Sequence, residues 1–582
     1  MDVLIIAQYG SLLYKAGVTG TNRRLNRERN ALNGKVKRAA LIVMAGMIVS
    51  RLLGYVRYKT IFYYFGRGPE TDAFLGAFAV PDLIYILESG GALTAAFIPV
   101  FTRLLEKENK EEAWRLFSAI VNISLAVILP SIALGMAFAP QLTRAIVPGF
   151  NSSPETHKLC YEIMRMLFPM VVFTGMSAIL SGVLHAHQHF VAPTISWCLH
   201  NIGIISAAVF LGSIYGIKGL AYGVLAGTVG MVAVQLPVVV SKGVRYRPVM
   251  GRGDPNVKIV LKLFLPAMLG MSISQINLLI LPVTFGSFMG EGAVTALQGS
   301  VRLLMLPLGI FGSAISMAIF PTLAQQAGSG RMDEFKSTLA RGISATFAFS
   351  LPSMAAFIIA GAPISRVLFG GGQFSVDDCL ATAFALSFYS VGLPAHTAIQ
   401  VISRGYYSLN DTRTPLFVGL FSVAVITIPF SLGLVGLGSF SIDVLSWSVP
   451  MGWSMWIFKI SPFYYLGIAL KGLTFGGVAL GVSMAALFNF AALLAILNRK
   501  APGFDTRGVL KSFARVGAAT AAAAAACWAA MSATSGLDPA AQTIASLAAC
   551  GAVFIAAGKF LKVAEIDDMT GMTLKRFRRK QG

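Results

Sequence analysis

The chemistry open to this sequence rests on a few charged or hydroxyl side chains set inside long apolar runs. An Arg at the centre of a membrane helix costs roughly 2.5–3.5 kcal/mol on insertion scales, so such residues face a cavity or a partner. The first apolar run ends Ser50-Arg51-Leu-Leu-Gly54-Tyr-Val-Arg57. Six helical steps leave Arg51 and Arg57 about 120° apart, so a shared target needs long side chains or a bent helix. Snorkelling to the interface would explain Arg57 without any function; Arg51 lies deeper and is the better binding candidate. Arg302 sits in the middle of Ser300-Val-Arg302-Leu-Leu-Met-Leu-Pro307, with no acid near it in the run. It needs an anion, and a diphosphate would serve, because guanidinium binds phosphate in a bidentate way. A structural ion pair with an acid from another helix is the rival explanation. Thr295, seven residues earlier, falls near the same helical face.

Three acids complete the candidates. Asp72 opens a run in Thr71-Asp72-Ala-Phe74 and reads equally as a helix N-cap or a substrate contact. Glu88 lies mid-run beside Gly90-Gly91, where an acid near arginines would be an ion-pair partner or proton carrier. Glu162 and Arg165, three apart, read as a local pair.

The elements that position these residues are transmembrane helices. Of 582 residues 55% are hydrophobic and only 12% are charged, and mean hydropathy is +0.71, whereas soluble domains carry roughly 25% charged residues. Apolar runs long enough to cross a bilayer core of about 30 Å fall at 39–57, 73–101, 116–139, 161–186, 191–212, 217–240, 260–284, 293–322, 341–363, 379–403, 414–437, 473–497, 510–532 and 538–558. The net charge of +22 sits mostly in alternate short loops, such as Lys242/Arg245/Arg247/Arg252 and Arg331/Lys336/Arg341. That pattern is the positive-inside rule rather than a nucleic-acid surface, and it puts both termini in the cytoplasm. Residues 1–37 read as a basic cytoplasmic tail, since their charges follow the weakly apolar stretch where a cleaved signal would place them before it. Segment 438–472, with Trp447, Trp453 and Trp456, reads as lying at the outer interface.

Five scattered cysteines show no CxxC or Cys/His ligand spacing, so neither a disulfide nor a metal site is read. His185-x-His187-x-His189 fits a polar turn better than a metal site. No phosphate-binding glycine loop, activated nucleophile or external carboxylate cluster is present, so the chain does not read as an enzyme and calls for no cofactor.

The chain repeats itself at a spacing of about 222 residues. Phe97-Ile-Pro99 returns as Ile319-Phe-Pro321, Ile146-Val-Pro-Gly-Phe150 as Val367-Leu-Phe-Gly-Gly-Gly-Gln-Phe374, and Pro193 as Pro415. Six spans per repeat is even, so the copies share an orientation. The expected fold is an all-α polytopic membrane protein of about fourteen helices, two six-helix lobes around a central cleft plus two C-terminal helices. The lobes are expected at 38–242 and 243–500, the C-terminal helices at 501–565 and a basic cytoplasmic tail at 566–582.

Ser50-Arg-Leu-Leu-Gly-Tyr-Val-Arg57, Thr71-Asp-Ala-Phe74, Ala96-Phe-Ile-Pro99, Val147-Pro-Gly-Phe150 and Gly405-Tyr-Tyr-Ser-x-x-Asp411-x-x-Thr-Pro415 resemble the MurJ/MviN family. The resemblance runs from about residue 38 to 560. It implies the fold of the multidrug/oligosaccharidyl-lipid/polysaccharide flippase superfamily. It also implies flipping of lipid II, the undecaprenyl-diphosphate-linked peptidoglycan precursor, across the bacterial inner membrane by a monomer in contact with membrane lipids and cell-wall synthases. By that resemblance Arg51, Arg57 and Arg302 match cavity arginines and Asp72 a required aspartate. The sequence departs from the pattern at Tyr85, where members carry arginine, at Met305, where some carry glutamate, and at Tyr58, where an acid often follows the second arginine. No clear acidic site for sodium stands in spans seven, eleven and twelve. Rival readings are a flippase for another polyprenyl-linked sugar, a multidrug antiporter of the same superfamily, and a non-transporting cell-wall scaffold.

Overall fold

A computed structural model describes residues 46, 49–89, 92–436, 441–444, 447–450, 462–563 and 566; of the tails expected at 1–37 and 566–582, all but Ile566 lies outside them. The first helix, α1, covers 49–65. It is followed by α2 (Pro69–Ala77), α3 (Ala79–Ser89), α4 (Ala92–Glu106), α5 (Lys110–Ala137), α6 (Ala139–Ile146), α7 (Pro154–Leu167), α8 (Met170–Ala186) and α9 (Val191–Phe210). Next come α10 (Gly212–Tyr215), α11 (Gly219–Ser241), α12 (Pro255–Gln275), α13 (Leu281–Gly286), α14 (Ala293–Pro307), α15 (Ala314–Gly328) and α16 (Met332–Phe369). The remainder are α17 (Val376–Val391), α18 (Leu393–Ser408), α19 (Arg413–Ser422), α20 (Ile428–Val435), α21 (Pro462–Ala469), α22 (Thr474–Lys500), α23 (Thr506–Ala533) and α24 (Pro539–Phe560). Between α20 and α21 a two-stranded antiparallel hairpin pairs β1 (Ser441–Val444) with β2 (Trp447–Pro450). Those strands fall within the segment expected at an interface.

Among the described residues ten helices are long and apolar enough to cross a membrane, or eleven when α17 and α18, bent by 45° at Gly392, count as one. Three expected spans stand outside that count: 39–57 lies partly outside the described residues, and the other two are built in pieces. Span 73–101 is divided among α2, α3 and α4, and span 260–284 between α12 and α13. Large apolar side chains stand exposed on the outer helices, including Phe417, Trp528 and Phe560, the last 87% accessible. In water these would be aggregation sites; against lipid they are the solvent-facing surface.

The chain packs as two compact units. One comprises the chain up to Phe65, Pro69–Ile146 and Phe150–Ile276; the other comprises Asn277 onward together with Gly66–Gly68 and Val147–Gly149. The division falls at Ile276/Asn277, whereas the sequence suggested 242/243. The intervening loop is tied to the first unit: the Asn122 amide donates to the Val249 carbonyl at 2.8 Å, and the Arg247 N–H donates to the Ser118 hydroxyl at 3.0 Å. Beyond that loop, α12 packs on α4 and α3.

Two devices hold the first unit together where apolar packing alone gives no specificity in lipid. Gly219, Gly223 and Gly227 form a small-residue stripe on α11. A Cβ at Gly223 would lie 2.2 Å from the Ala207 Cβ and 2.6 Å from the Gly203 carbonyl of α9, so backbone meets backbone there. The second device is a buried amide: Gln235 donates to the Ser177 hydroxyl at 2.7 Å and accepts from Ser181 at 2.8 Å, joining α11 to α8.

The second unit carries three π-helical segments, Ile276–Ile280, Leu308–Ser313 and Val423–Thr427. Each adjoins a proline: Pro282, Pro307 and Pro429. Proline removes one N–H and crowds the preceding turn, and the wider π turn absorbs the misfit. Neighbouring helices supply polar partners. Gln298 donates to the Leu279 carbonyl at 3.0 Å, Ser313 donates to Gln400 at 3.0 Å, and Thr427 donates to the Asn277 side-chain oxygen at 3.0 Å.

Candidate functional site

Of the residues the sequence singled out, Arg51, Arg57 and Asp72 belong to the first unit, and Thr295 and Arg302 to the second. Arg51 is exposed rather than the deeper of the two arginines on α1; Arg57 is half-buried. The Arg57 guanidinium lies over the Tyr58 ring, 4.8 Å from its centroid, and that ring is 7% accessible. Tyr58 is the position where the family pattern would have an acid. A ring face attracts the cation weakly, by about 0.5–2 kcal/mol.

The helix beside α1 is α9. The Asn201 amide donates to the Ser50 carbonyl at 3.4 Å, and a Cβ on Gly46 would fall 2.0 Å from the Thr194 methyl carbon. The same helix places His200 within electrostatic reach of Arg57. The sequence reading passed over His200 because a single histidine in an apolar run has the pattern of an ordinary core residue.

Asp72 is buried, 1% accessible, but it is not an N-cap. The helix begins three residues earlier at Pro69, so Asp72 lies within the first turn of α2. A carboxylate there is favoured by the partial positive charge of the helix start. The Glu88 and Tyr85 side chains lie outside the described residues.

In the second unit Thr295 is fully buried and Arg302 half-buried, two turns apart on α14. Met305 follows on the same helix, half-buried. Ser300, between the two, donates to the Ala296 carbonyl at 2.6 Å and to the Thr382 carbonyl of α17 at 2.7 Å, which fixes α14 against α17.

Two further features carry weight that sequence reasoning gave them only in part. Arg67, in the turn between α1 and α2, donates from Nε to Asp378 at 2.7 Å. The other Asp378 oxygen accepts the Ser375 N–H at 2.8 Å, so one carboxylate both caps α17 and binds the arginine. The Ser375-x-x-Asp378 spacing carried the capping signal; nothing local in the chain pointed 311 residues back to Arg67. Gly149 of the Val147-Pro-Gly-Phe150 motif donates its N–H to the Ser287 hydroxyl at 3.0 Å.

The motif ending at Pro415 has a local structural role. Asp411 accepts the N–H groups of Arg413 and Thr414 at 3.1 and 3.0 Å and the Thr414 hydroxyl at 2.6 Å. Lys500, at the end of α22, pairs with the same carboxylate. Burial alone would raise the Asp411 pKa, but the hydrogen bonds from Lys500 and Thr414 outweigh it and bring it down to about 2.

The histidine cluster after α8 is a packed turn. His187 stacks on Trp114 with ring centroids 6.0 Å apart, and its Nδ1 meets the Val183 carbonyl at 2.9 Å. Among the described residues no group of three His, Cys, Asp or Glu side chains is placed to hold a metal ion.

Long apolar helices, lipid-facing aromatic side chains and arginines within the helices define a multi-pass membrane protein. The sequence matches the family model "Lipid II flippase MurJ" over residues 61–460, a stretch that contains Asp72, Thr295 and Arg302 and begins after Arg51 and Arg57. The chain therefore belongs to the lipid II flippase MurJ family, a family of transporters. Relatives include a probable lipid II flippase MurJ of Rhizobium meliloti (strain 1021), 32% identical over 382 residues, 65% of this chain and 71% of the relative. The lipid II flippase MurJ of Burkholderia cenocepacia is 29% identical over 398 residues, 67% of this chain and 76% of the relative. Among solved structures, lipid II flippase MurJ in an inward closed conformation superposes with a TM-score of 0.68 at 23% identity, covering 90% of this chain and 99% of that one. An inward-facing multidrug resistance MATE family transporter of the MOP superfamily gives 0.58 at 19% identity, covering 79% and 99%.

Proposed function

We propose that this protein carries lipid II from the cytoplasmic to the periplasmic leaflet of the bacterial inner membrane by alternating access. Both termini lie in the cytoplasm, the protein acts as a monomer, and it catalyses no covalent step. The headgroup-binding residues are Arg51, Arg57, Arg302, Asp72, Glu88 and Thr295, with the arginines taking the diphosphate, while the polyprenyl chain stays in lipid. The observation that carries the reading is family membership combined with a half-buried arginine in each unit, Arg57 on α1 and Arg302 on α14. A guanidinium there costs a few kcal/mol, and a diphosphate offsets that cost through paired hydrogen bonds.

The test is complementation of a strain depleted of its lipid II flippase. Wild-type protein is expected to restore growth, and Arg302→Ala to fail while reaching the membrane at normal levels with an unchanged melting temperature. Normal lipid II translocation by folded Arg302→Ala would refute the assignment. The same-superfamily fold of a multidrug transporter keeps one rival in view, and drug resistance conferred without flippase rescue would favour it.

A further inference from the structure

The end of α18, in the second unit, carries a cation that the proposed headgroup site does not use. Gly405 presses that end on α16, where a Cβ would lie 2.6 Å from the Leu339 Cδ2. Tyr406, the next residue, donates its hydroxyl to the Leu493 carbonyl of α22 at 2.7 Å. Helix α15 closes the same junction: a Cβ on Gly342 of α16 would come 2.6 Å from the Ile319 Cδ1 of α15 and 3.3 Å from the Val401 Cγ1 of α18. Two consecutive residues therefore fix the rotation of the helix end, and Arg404 is turned to α15. Its guanidinium lies over the Phe320 ring, 5.4 Å from the centroid, and over the Tyr407 ring at 5.9 Å.

Arg404 is half-buried. Among the described residues its guanidinium meets no hydrogen-bond acceptor and no carboxylate, and none of its nitrogens is buried. The acids at that end of the unit are engaged elsewhere: Asp333 with Lys336, Glu334 with Arg331, Asp411 with Lys500 and Asp505 with the Gly508 N–H. Stacking on rings uses the flat face of a guanidinium and leaves its N–H fork free at the edge, where it matches two oxygens of one phosphate. Arg404 stands one turn, about 6 Å, before α18 ends at Ser408. That sets it at the boundary where lipid phosphates meet hydrocarbon. An arginine that merely snorkels needs water alone; two rings hold this one in place with its donors unmet.

We infer that Arg404 is a phosphate-binding residue, whose guanidinium fork donates to two oxygens of a lipid phosphate in the leaflet at that end of the second unit. The ligand class is a lipid bearing a phosphodiester or a diphosphate; an anionic phospholipid presents the first and a polyprenyl-linked headgroup the second. The inference rests on the flippase reading only for the second of these. No covalent bond changes: the phosphate arrives and leaves with its lipid.

Native mass spectrometry of the full-length protein tests this by counting bound lipid with three probes. They are phosphatidylglycerol, undecaprenyl diphosphate and monoglucosyl diacylglycerol, which has no phosphate. Arg404→Gln should bind at least one of the two phosphate lipids about tenfold more weakly than wild type, the scale of a hydrogen bond to a charged group. Glucolipid binding and the melting temperature should not change. A loss confined to phosphatidylglycerol assigns the contact to phospholipid, and one confined to undecaprenyl diphosphate assigns it to the transported lipid; each supports a phosphate contact. Unchanged affinity for both phosphate lipids in folded Arg404→Gln overturns it, as does an equal loss for the glucolipid, which marks a packing role. Should Arg404→Gln fail to fold, Arg404→Lys decides, because it keeps the charge and loses the fork. Binding of either phosphate lipid weakened by about threefold supports the contact, and wild-type affinity overturns it. Wild-type protein that binds no undecaprenyl diphosphate refutes the flippase reading, whereas phosphatidylglycerol binding that depends on Arg404 upholds this contact by itself.

Discussion

Arg57 shows how a side chain next to an expected site residue changes what that residue can do. A carboxylate after Arg57 would hold the guanidinium and cancel much of its charge. Tyr58 holds it over a ring, with a weaker grip than an ion pair. Tyr58→Phe keeps the ring face and should transport as wild type. Tyr58→Leu should raise the KM for lipid II by about three- to tenfold, the equivalent of about 0.7–1.4 kcal/mol, with kcat little changed. Flipping assays in liposomes across a range of lipid II concentrations would show it, and an unchanged KM in Tyr58→Leu would remove the stacking argument. Gly149 is a second residue whose type is dictated by distance. A Cβ there would stand 2.2 Å from the Ser287 carbonyl carbon and oxygen, closer than any backbone tolerates. Gly149→Ala should cost about 1–3 kcal/mol or more, since a backbone has no rotamer with which to yield. Gly517, within α23, has nothing within 4 Å of its would-be Cβ, so Gly517→Ala should be neutral or stabilising by up to about 1 kcal/mol. Melting temperatures of the two variants in one detergent make the comparison, and equal effects would contradict it.

At the scale of elements, the connection from α18 to α19 is held by one carboxylate with more partners than its loop position suggests. Asp411 gathers two backbone N–H groups, a hydroxyl and Lys500. Its folded pKa of about 2 lies below the unfolded value of about 3.9. Its contribution to stability is therefore complete above about pH 4 and is lost as pH falls toward 2. Asp411→Ala should lower stability by about 1–2 kcal/mol at neutral pH and flatten the acid limb of the melting curve. A variant whose melting temperature fell in parallel with wild type below pH 4 would show that other carboxylates govern that limb. This motif was legible in the sequence as a polar turn because Asn, Asp and Pro cluster there, but its tie to Lys500, 89 residues away, was not. The same limit applies elsewhere. Apolar runs announced the helices, yet the three π segments were hidden, because a wider turn changes hydrogen bonding without changing composition. Pro282, Pro307 and Pro429 were the only local marks, and proline alone does not say whether a helix kinks, breaks or widens. The small-residue stripe of α11 was visible in Gly219, Gly223 and Gly227, but its partner helix was not. Arg302 was legible because a cation in an apolar run violates the pattern around it.

At the scale of the whole molecule, burial is unevenly distributed. The segment Pro154–Ala186 is 72% buried across its most apolar window, while α23 and α24 are 28% and 22% buried. The last two helices thus expose most of their surface to lipid and contribute little to the interior of the second unit. Their position outside the repeat fits that packing, and it bears on the rival idea that the chain works as a scaffold for cell-wall enzymes. A scaffold acts through surfaces reachable from water, and here those would be the basic tails, 1–37 and 570–582, which hold seven and five Lys or Arg residues. A transporter acts through charged groups within its spans, and the tails then serve orientation and lipid contact. Removing both tails separates the two. The shortened protein, 38–569, is expected to insert, to melt within a few degrees of the full chain, and to rescue a flippase-depleted strain, with Arg302→Ala still abolishing rescue in that background. Loss of rescue by a shortened protein that is folded and still flips lipid II in liposomes would place the essential function in the tails. Flipping without rescue and rescue without flipping are opposite results, so a liposome assay run beside the growth assay decides between transport and assembly.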